Sequence, residues 1–270
     1  MSSEAVPAEV FAEERRDGIG RLVADLGRVR VDELAARFGV SAVTIRKDLA
    51  QLEQQGRLVR AHGGALSPKS VGLERAFEIR ERVQRAAKDA IGREAAAMVE
   101  DGESIALDAS TTAYAMARHL RARGGWLHLT VVTNGLRIAL ELAGVPGISV
   151  VMPGGLVRPE ALSLVGPMGE GLLGQVNVRR AFLGATGFSV EAGLCDGTEG
   201  EAQIKRLLVA AATEVVGLID HTKWSRTTLV TFCPTASIGS LVTDAPAPAA
   251  MAALLRSGGV RVIEVPAGGG

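Results

Sequence analysis

From residue 104 onward, short apolar runs of strand length alternate with stretches patterned as helices, a rhythm that few folds accommodate. SIALD, beginning at Ser104, precedes STTAYAMARHL, and LTVVT, beginning at Leu129, precedes GLRIALELA. ISVVM, RAFLGA, EVVGLID, GSLVTD and VRVIEV continue the strand series, with EAQIKRLLVAAA and PAAMAALLRSG as intervening helices. Successive strands joined through helices lie parallel, so the pattern predicts a mainly parallel sheet flanked by helices. A long helical stretch from Leu73 to Val99 is expected to lead into it.

The 270-residue chain has room for two domains, and with 47 % apolar and 22 % charged residues its composition fits a packed protein. The pattern changes character at Ser67-Pro68-Lys69-Ser70. The expected organisation is a first domain over 11–67, a linker over 68–75 and an α/β domain over 76–265, with the first dozen residues and the terminal glycines outside both. No apolar run is long enough to span a bilayer. The start, MSSEAVPAEVFAEERR, carries acids where a signal peptide has a basic and then an apolar stretch, so no membrane association and a cytoplasmic location are expected. Cys195 and Cys233 stand apart from each other and from histidines at ligand spacing; two free thiols, no metal site and no cofactor are expected. The 30 basic and 30 acidic residues cancel, so any attraction for a polyanion must be local.

Such a local site is legible near the N-terminus. Asp32 to Phe38 reads as a short helix broken by Gly39-Val40, and Ser41 is a good N-cap for a second helix running to about Gln54. Leu34, Ala35, Phe38, Val40, Ile45, Leu49 and Leu52 share the inward faces, which is helix-turn-helix spacing. Ser41 and the outward Val43, Thr44, Arg46 and Lys47 are then placed to touch thymine methyls, base edges and phosphates in a major groove. Gly56 to Ala65 reads as two short strands around a turn, a wing from which Arg57, Arg60 and His62 are expected to point at DNA. Between Ser41 and Leu66 four bases (Arg46, Lys47, Arg57, Arg60) stand against two acids (Asp48, Glu53), a local excess of +2 on a neutral chain.

The segment VDELAARFGVSAVTIRKDLAQLEQQGRLVRAHGGAL closely resembles the N-terminal signature of the DeoR family of bacterial sugar-metabolism regulators. Lys47 stands where that family more often has arginine, which keeps the charge but loses a bidentate fork. The resemblance implies a winged helix-turn-helix and a double-stranded DNA operator as partner.

In the second domain, hydroxyls and glycines recur where strands end. Asp108, Ser110, Thr111 and Thr112 follow one strand and open a helix; Asn134 and Gly135 follow the next, Gly154 and Gly155 a third, Thr186 and Gly187 a fourth. Ligands of open α/β sheets bind at the carboxyl ends of strands, and a helix N-terminus favours anions. Glu201 and Lys205, at i and i+4 on one helix, are candidates for the same site, although that spacing also suits an ordinary exposed ion pair. Lys223, past a fifth strand end, either closes on a phosphate or is a solvated loop lysine, and Arg158 is a weaker candidate of the same kind. Resemblance to the DeoR-family sensor runs from Ala76 to Val265 through DASTT, VVTNG, VMPGGLVRPEALSLVGP, FLGATGFS, EAQIKR and DHTKW. It implies a fold related to ribose-5-phosphate isomerase and a small phosphorylated metabolite that weakens operator binding. Cys195 and Asp196 stand where threonines are usual, and Thr198 where an acid is common.

An isomerase carrying a DNA-binding domain is the competing reading. The corresponding isomerase loop resembles Asp-Gly-Ala-Asp-Glu, whereas Leu183 to Gly187 here reads Leu-Gly-Ala-Thr-Gly and lacks all three carboxylates, so no catalytic residue is assigned. A DNA binder whose second domain senses nothing is a further alternative. The expected assembly is a homo-oligomer joined through its C-terminal domains.

Overall fold

The computed structural model describes residues 8–61, 63–67 and 73–265. These fall into two compact units divided between Val83 and Gln84. His62, residues 68–72 of the expected linker and both chain ends lie outside the described residues.

The first unit comprises α1 (Ala8–Leu26), β1 (Arg28–Arg30), α2 (Val31–Phe38), α3 (Ala42–Gln54), β2 (Val59–Ala61), β3 (Gly64–Leu66) and α4 (Leu73–Arg82). Its core joins Ile19 and Val23 of α1 to Leu34 of α2 and Ile45, Leu49 and Leu52 of α3, with Ala35, Phe38 and Val40 partly buried against them. This is the inward set expected from helical spacing, and Gly39 ends α2 at φ 64° as a left-handed cap. The expected two-stranded wing has a third strand. β1 pairs with β3 on the side away from β2, and a three-residue Arg-Val-Arg run is too short to show in a hydropathy pattern. The two wing glycines have different causes: Gly63 turns the hairpin at φ 80°, whereas a Cβ on Gly64 would lie 2.0 Å from the Val29 carbonyl oxygen. Gly64→Ala is therefore expected to push β1 off β3, costing about 1–3 kcal/mol. Amide exchange across both strands should accelerate, and unchanged exchange would contradict the close approach.

The helical stretch expected from Leu73 to Val99 is two helices. α4 stops at Arg82 and α5 (Arg85–Ala97) starts after Gln84, whose φ of 54° lies outside any right-handed helix. Periodicity could not show the break because Val83 and Gln84 fit a helical pattern.

The second unit carries β4 (Ser104–Leu107), α6 (Thr111–Arg123), β5 (Leu129–Thr133), α7 (Leu136–Leu142) and β6 (Ile148–Val151). A hairpin of β7 (Leu156–Arg158) and β8 (Ser163–Val165) follows, then α8 (Pro167–Leu173) and β9 (Val178–Gly184). β10 (Gly187–Ser189), β11 (Gly193–Asp196), α9 (Glu199–Ala211), β12 (Ala212–Leu218), β13 (Val230–Cys233), β14 (Ser240–Thr243), α10 (Ala249–Ser257) and β15 (Arg261–Glu264) complete it. Seven strands form a parallel sheet in the order β15-β14-β12-β9-β4-β5-β6. These are the seven apolar runs of the sequence. The chain winds outward from β4 through β5 to β6, returns to β9 on the other side of β4, and winds outward again. The winding direction thus reverses between β4 and β9. Alternate residues of one strand feed opposite faces: Ile105, Leu107, Val131 and Phe182 meet Ile91, Met116 and Leu142, whereas Ala106, Val132, Ala181 and Leu183 meet Leu173, Ile204 and Leu255. The β7–β8 hairpin and a small sheet ordered β10-β11-β13 are additions that the strand and helix rhythm did not signal.

Candidate functional site: a recognition helix and a sheet edge

Ser41 caps α3 by accepting the Thr44 N–H at 3.1 Å, and its hydroxyl lies 2.9 Å from that of Thr44. The first two turns of α3 then present Val43, 60 % exposed, together with exposed Arg46 and Lys47. Asp48 faces inward, 4 % exposed, and its carboxylate takes Arg15 Nε at 2.6 Å and Arg15 Nη2 at 3.3 Å. This acid is neutralised from α1, so it does not offset the positive charge of the outer face of α3. Arg57, expected to point at DNA, turns instead to α1: its Nη1 lies 2.6 Å from Asp17 Oδ1, and a Cβ on Gly20 would come within 2.7 Å of its Nη2. The Asp17 carboxyl is held below its ordinary range by that hydrogen bond and charge. Arg60 is exposed on β2, where its N–H donates to Glu53 Oε1 at 3.0 Å.

In the second unit the residues flanking the reversal point are tied together. Asp108, just past β4, accepts the Ser110 hydroxyl at 2.7 Å and the Gly184 N–H at 3.1 Å through Oδ1. Its Oδ2 lies 2.9 Å from Lys205 Nζ, a charge contact without hydrogen-bond alignment. Lys205 donates to Asp196 Oδ2 at 2.6 Å and to the Gly184 carbonyl at 2.9 Å, and stands 4.9 Å from the centre of the Phe232 ring. Burial disfavours its charge, but Asp108 and Asp196 outweigh that effect and raise its pKa above the ordinary lysine value.

Glu201 and Lys205 do not form the exposed pair that their spacing suggested. Each is 5 % exposed and each turns to partners distant in sequence. Glu201 Oε1 accepts the Ser163 hydroxyl at 2.5 Å and Arg158 Nη1 at 3.1 Å, and Arg158 also reaches Thr198 Oγ1 at 3.2 Å. The i, i+4 rule sees one helix alone, so it could not register the β7–β8 hairpin or the end of β4. Asp196, noted in the sequence only as a departure, proves to be a partner of Lys205. Ser163 and Gly184 carried no signal, being a small polar residue and a glycine inside apolar runs.

The other expected residues occupy the same carboxyl edge. Ser110 caps α6 by accepting the Ala113 N–H at 3.1 Å, and Thr111 and Thr112 are buried in its first turn. Gly135 N–H donates to Thr133 Oγ1 at 3.0 Å, and Asn134 is laced to β8 through Leu164 N to Asn134 O (2.8 Å) and Asn134 Nδ2 to Leu164 O (3.2 Å). Asn134 Oδ1 is buried with no hydrogen-bond partner among the described residues. Gly154 and Gly155 turn the chain into β7, and a Cβ on Gly155 would lie 2.6 Å from the Val165 carbonyl oxygen. Thr186 is engaged in the small sheet, donating to the Cys195 carbonyl at 3.0 Å and lying 2.8 Å from Thr228 Oγ1, and Gly187 opens β10. Lys223 is half-buried with Nζ 3.7 Å from Asp220 Oδ2, a looser arrangement than that of Lys205. A surface cavity of about 440 Å³ lies elsewhere, lined by Arg121, Glu141 and the loops that precede β5 and β6 at the amino ends of the strands. None of the expected residues lines it. Both cysteines are free and buried, and burial pushes the Cys233 thiol up to about 12.

Two family descriptions match this architecture in register with its units: a DeoR-like helix-turn-helix domain over residues 15–71 and a DeoR C terminal sensor domain over 83–245. The chain belongs to the DeoR family. The HTH-type transcriptional regulator GolR of Listeria innocua is 37 % identical over 87 % of this chain and 91 % of its own length. GlpR of Haloferax volcanii, named in the same way, is 35 % identical over 93 % of this chain and 97 % of its own length. The HTH-type transcriptional repressor GlcR of Bacillus subtilis is 31 % identical over 94 % and 96 %. Among solved structures, ribose 5-phosphate isomerase A of Methanocaldococcus jannaschii is similar over 52 % of this chain and 54 % of that one, at 22 % identity and a TM-score of 0.38. That likeness is too distant to bear on function. This DeoR-family chain is a DNA-binding transcriptional regulator with a sensor domain, a role that is not enzymatic. Among the described residues, no helix is long and apolar enough to cross a membrane.

Proposed function

We propose that this DeoR-family regulator is a cytoplasmic, homo-oligomeric repressor that reads its operator with α3 and releases it when a phosphorylated sugar or related metabolite binds at the carboxyl edge of the sensor sheet. The observation that carries this reading is the convergence at the reversal point of the sheet. Asp108 just past β4, held by the Ser110 cap of α6, and Gly184 at the end of β9 meet Lys205 of α9 where the winding direction changes, the position at which open α/β sheets hold ligands.

Within that edge the groups divide by availability. Lys205 is committed to Asp108, Asp196 and the Gly184 carbonyl, so it organises the site rather than meeting a ligand. The Thr111 and Thr112 amides at the start of α6, which the Ser110 cap does not take, and Lys223, with Nζ 3.7 Å from Asp220 Oδ2, supply the cationic field for a phosphate. Coupling to DNA is a difference in affinity: the metabolite binds the DNA-free form more tightly, by about 1–3 kcal/mol.

A thermal-shift screen of phosphorylated sugars and polyols against their unphosphorylated counterparts tests the reading. A phosphate-dependent rise in melting temperature is expected, lost in Lys223→Ala while operator binding persists. Equal stabilisation by both sets of compounds, or a shift that survives in Lys223→Ala, would refute the placement of the phosphate.

A further inference from the structure

The outer face of α3 carries an apolar group that the fold does not use. Val43, Arg46 and Lys47 stand at i, i+3 and i+4, so they lie together on the face turned from the core, whose buried apolar α3 members are Ile45, Leu49 and Leu52. Val43 is 60 % exposed between these cations, and among the described residues it belongs to neither apolar cluster of the first unit. Valine is also a poor helix former, because its branched Cβ loses rotamer freedom against the preceding turn. At this position it serves neither packing nor helix stability.

Its neighbours in the first turn are committed elsewhere. Ala42 is half-buried against the core, and Thr44 Oγ1 lies 2.9 Å from the Ser41 hydroxyl that caps the helix, so it is turned back onto the cap. Of Ala42, Val43 and Thr44, Val43 alone is exposed. In a helix-turn-helix the first residues of the second helix are those that reach base edges in the major groove. Most groups on those edges are donors and acceptors, which an apolar side chain would strip of water without replacing it. The exception is the pyrimidine C5, which in thymine carries a methyl group.

We infer that Val43 reads a 5-methyl group on a pyrimidine of the operator, while Arg46 and Lys47 beside it hold α3 in the groove. This rests on the reading of α3 as the operator-contacting helix, and it adds one position at which specificity is apolar. Thymine and 5-methylcytosine present the same group.

The test uses the full chain and a duplex carrying a site selected from random sequence by the wild-type protein. Each thymine is replaced in turn by deoxyuridine, which removes the methyl and keeps the base pair. At one thymine or more the affinity is expected to fall about three- to tenfold, the worth of roughly one buried methyl group. Val43→Ala shortens the side chain and favours the helix, so the variant should fold, bring that penalty below about twofold and keep the wild-type salt slope. At the sensitive position 5-methylcytosine should bind more tightly than cytosine by about the same three- to tenfold, which separates the methyl from the oxygen of thymine. Deoxyuridine without effect at every thymine, a penalty that persists in full in Val43→Ala, or equal binding of cytosine and 5-methylcytosine would overturn the inference. Any of these results with Arg46→Ala/Lys47→Ala still impaired removes the apolar contact and leaves α3 as the DNA-contacting helix. Wild-type affinity in that charge variant removes both.

Discussion

Lys205→Met is expected to cost the sensor unit about 3–5 kcal/mol at neutral pH, enough to unfold a domain of ordinary stability. The substitution keeps most of the side-chain volume and removes only the cation. Asp108, with no exposed side-chain surface, and Asp196, at 10 %, then remain beside each other without the charge that neutralised both. The direction of the pH response follows. In the variant an unpaired buried carboxyl has a folded-state pKa raised above its unfolded value, so the folded form binds more protons and the deficit shrinks as the pH falls below neutrality. Urea unfolding of wild type and variant at pH 7 and pH 5 measures both effects. A loss below about 1 kcal/mol at pH 7 would mean that the ion pairs do not organise the reversal point. In the wild type the lysine pKa is raised, so its contribution is present throughout this range and is lost only in strong alkali.

The double variant Arg46→Ala/Lys47→Ala is expected to lower DNA affinity by about 10- to 100-fold at physiological salt and to flatten the dependence of binding on salt by about one to two units of slope. Both side chains are exposed on α3 beside the Ser41 cap, and no ion pair engages them among the described residues. Because Asp48 is already neutralised by Arg15, removing these two cations should erase most of the positive potential on that face. A duplex carrying a site selected from random sequence by the wild-type protein provides the probe. The melting behaviour of the sensor unit should not change. Affinity and salt slope equal to wild type would assign DNA contact to another surface. By contrast, Arg57→Ala is expected to act through stability, since its guanidinium is committed to Asp17.

These expectations differ in how far the sequence reveals them. The recognition helix is legible because its determinants are local: a serine cap, a glycine end to the preceding helix and an inward stripe at helical spacing, all within 24 residues from Val31 to Gln54. All seven strands of the parallel sheet are legible for a similar reason, since each is a short apolar-rich run set between helical stretches, and the central ones are covered on both faces. β1, β7, β8, β10 and β11 were not, because they pair antiparallel in small sheets outside the strand and helix alternation that marks the equally short β4, β6, β14 and β15.

For the carboxyl edge of the sheet, the sequence marked which loops carry polar groups but not which groups face one another. Arg57 read as a wing cation and Lys205 as half of a surface pair, because charge and spacing were the only observables. Their actual partners, Asp17 in one case and Asp108 and Asp196 in the other, lie on other elements of the fold. Local periodicity and caps determined by themselves that this chain makes a helix-turn-helix followed by a parallel α/β sheet. Only the tertiary structure decided which charges are neutralised and which remain open to DNA or ligand, because pairing in a buried site depends on distances of a few ångströms between elements, and chain order does not specify them.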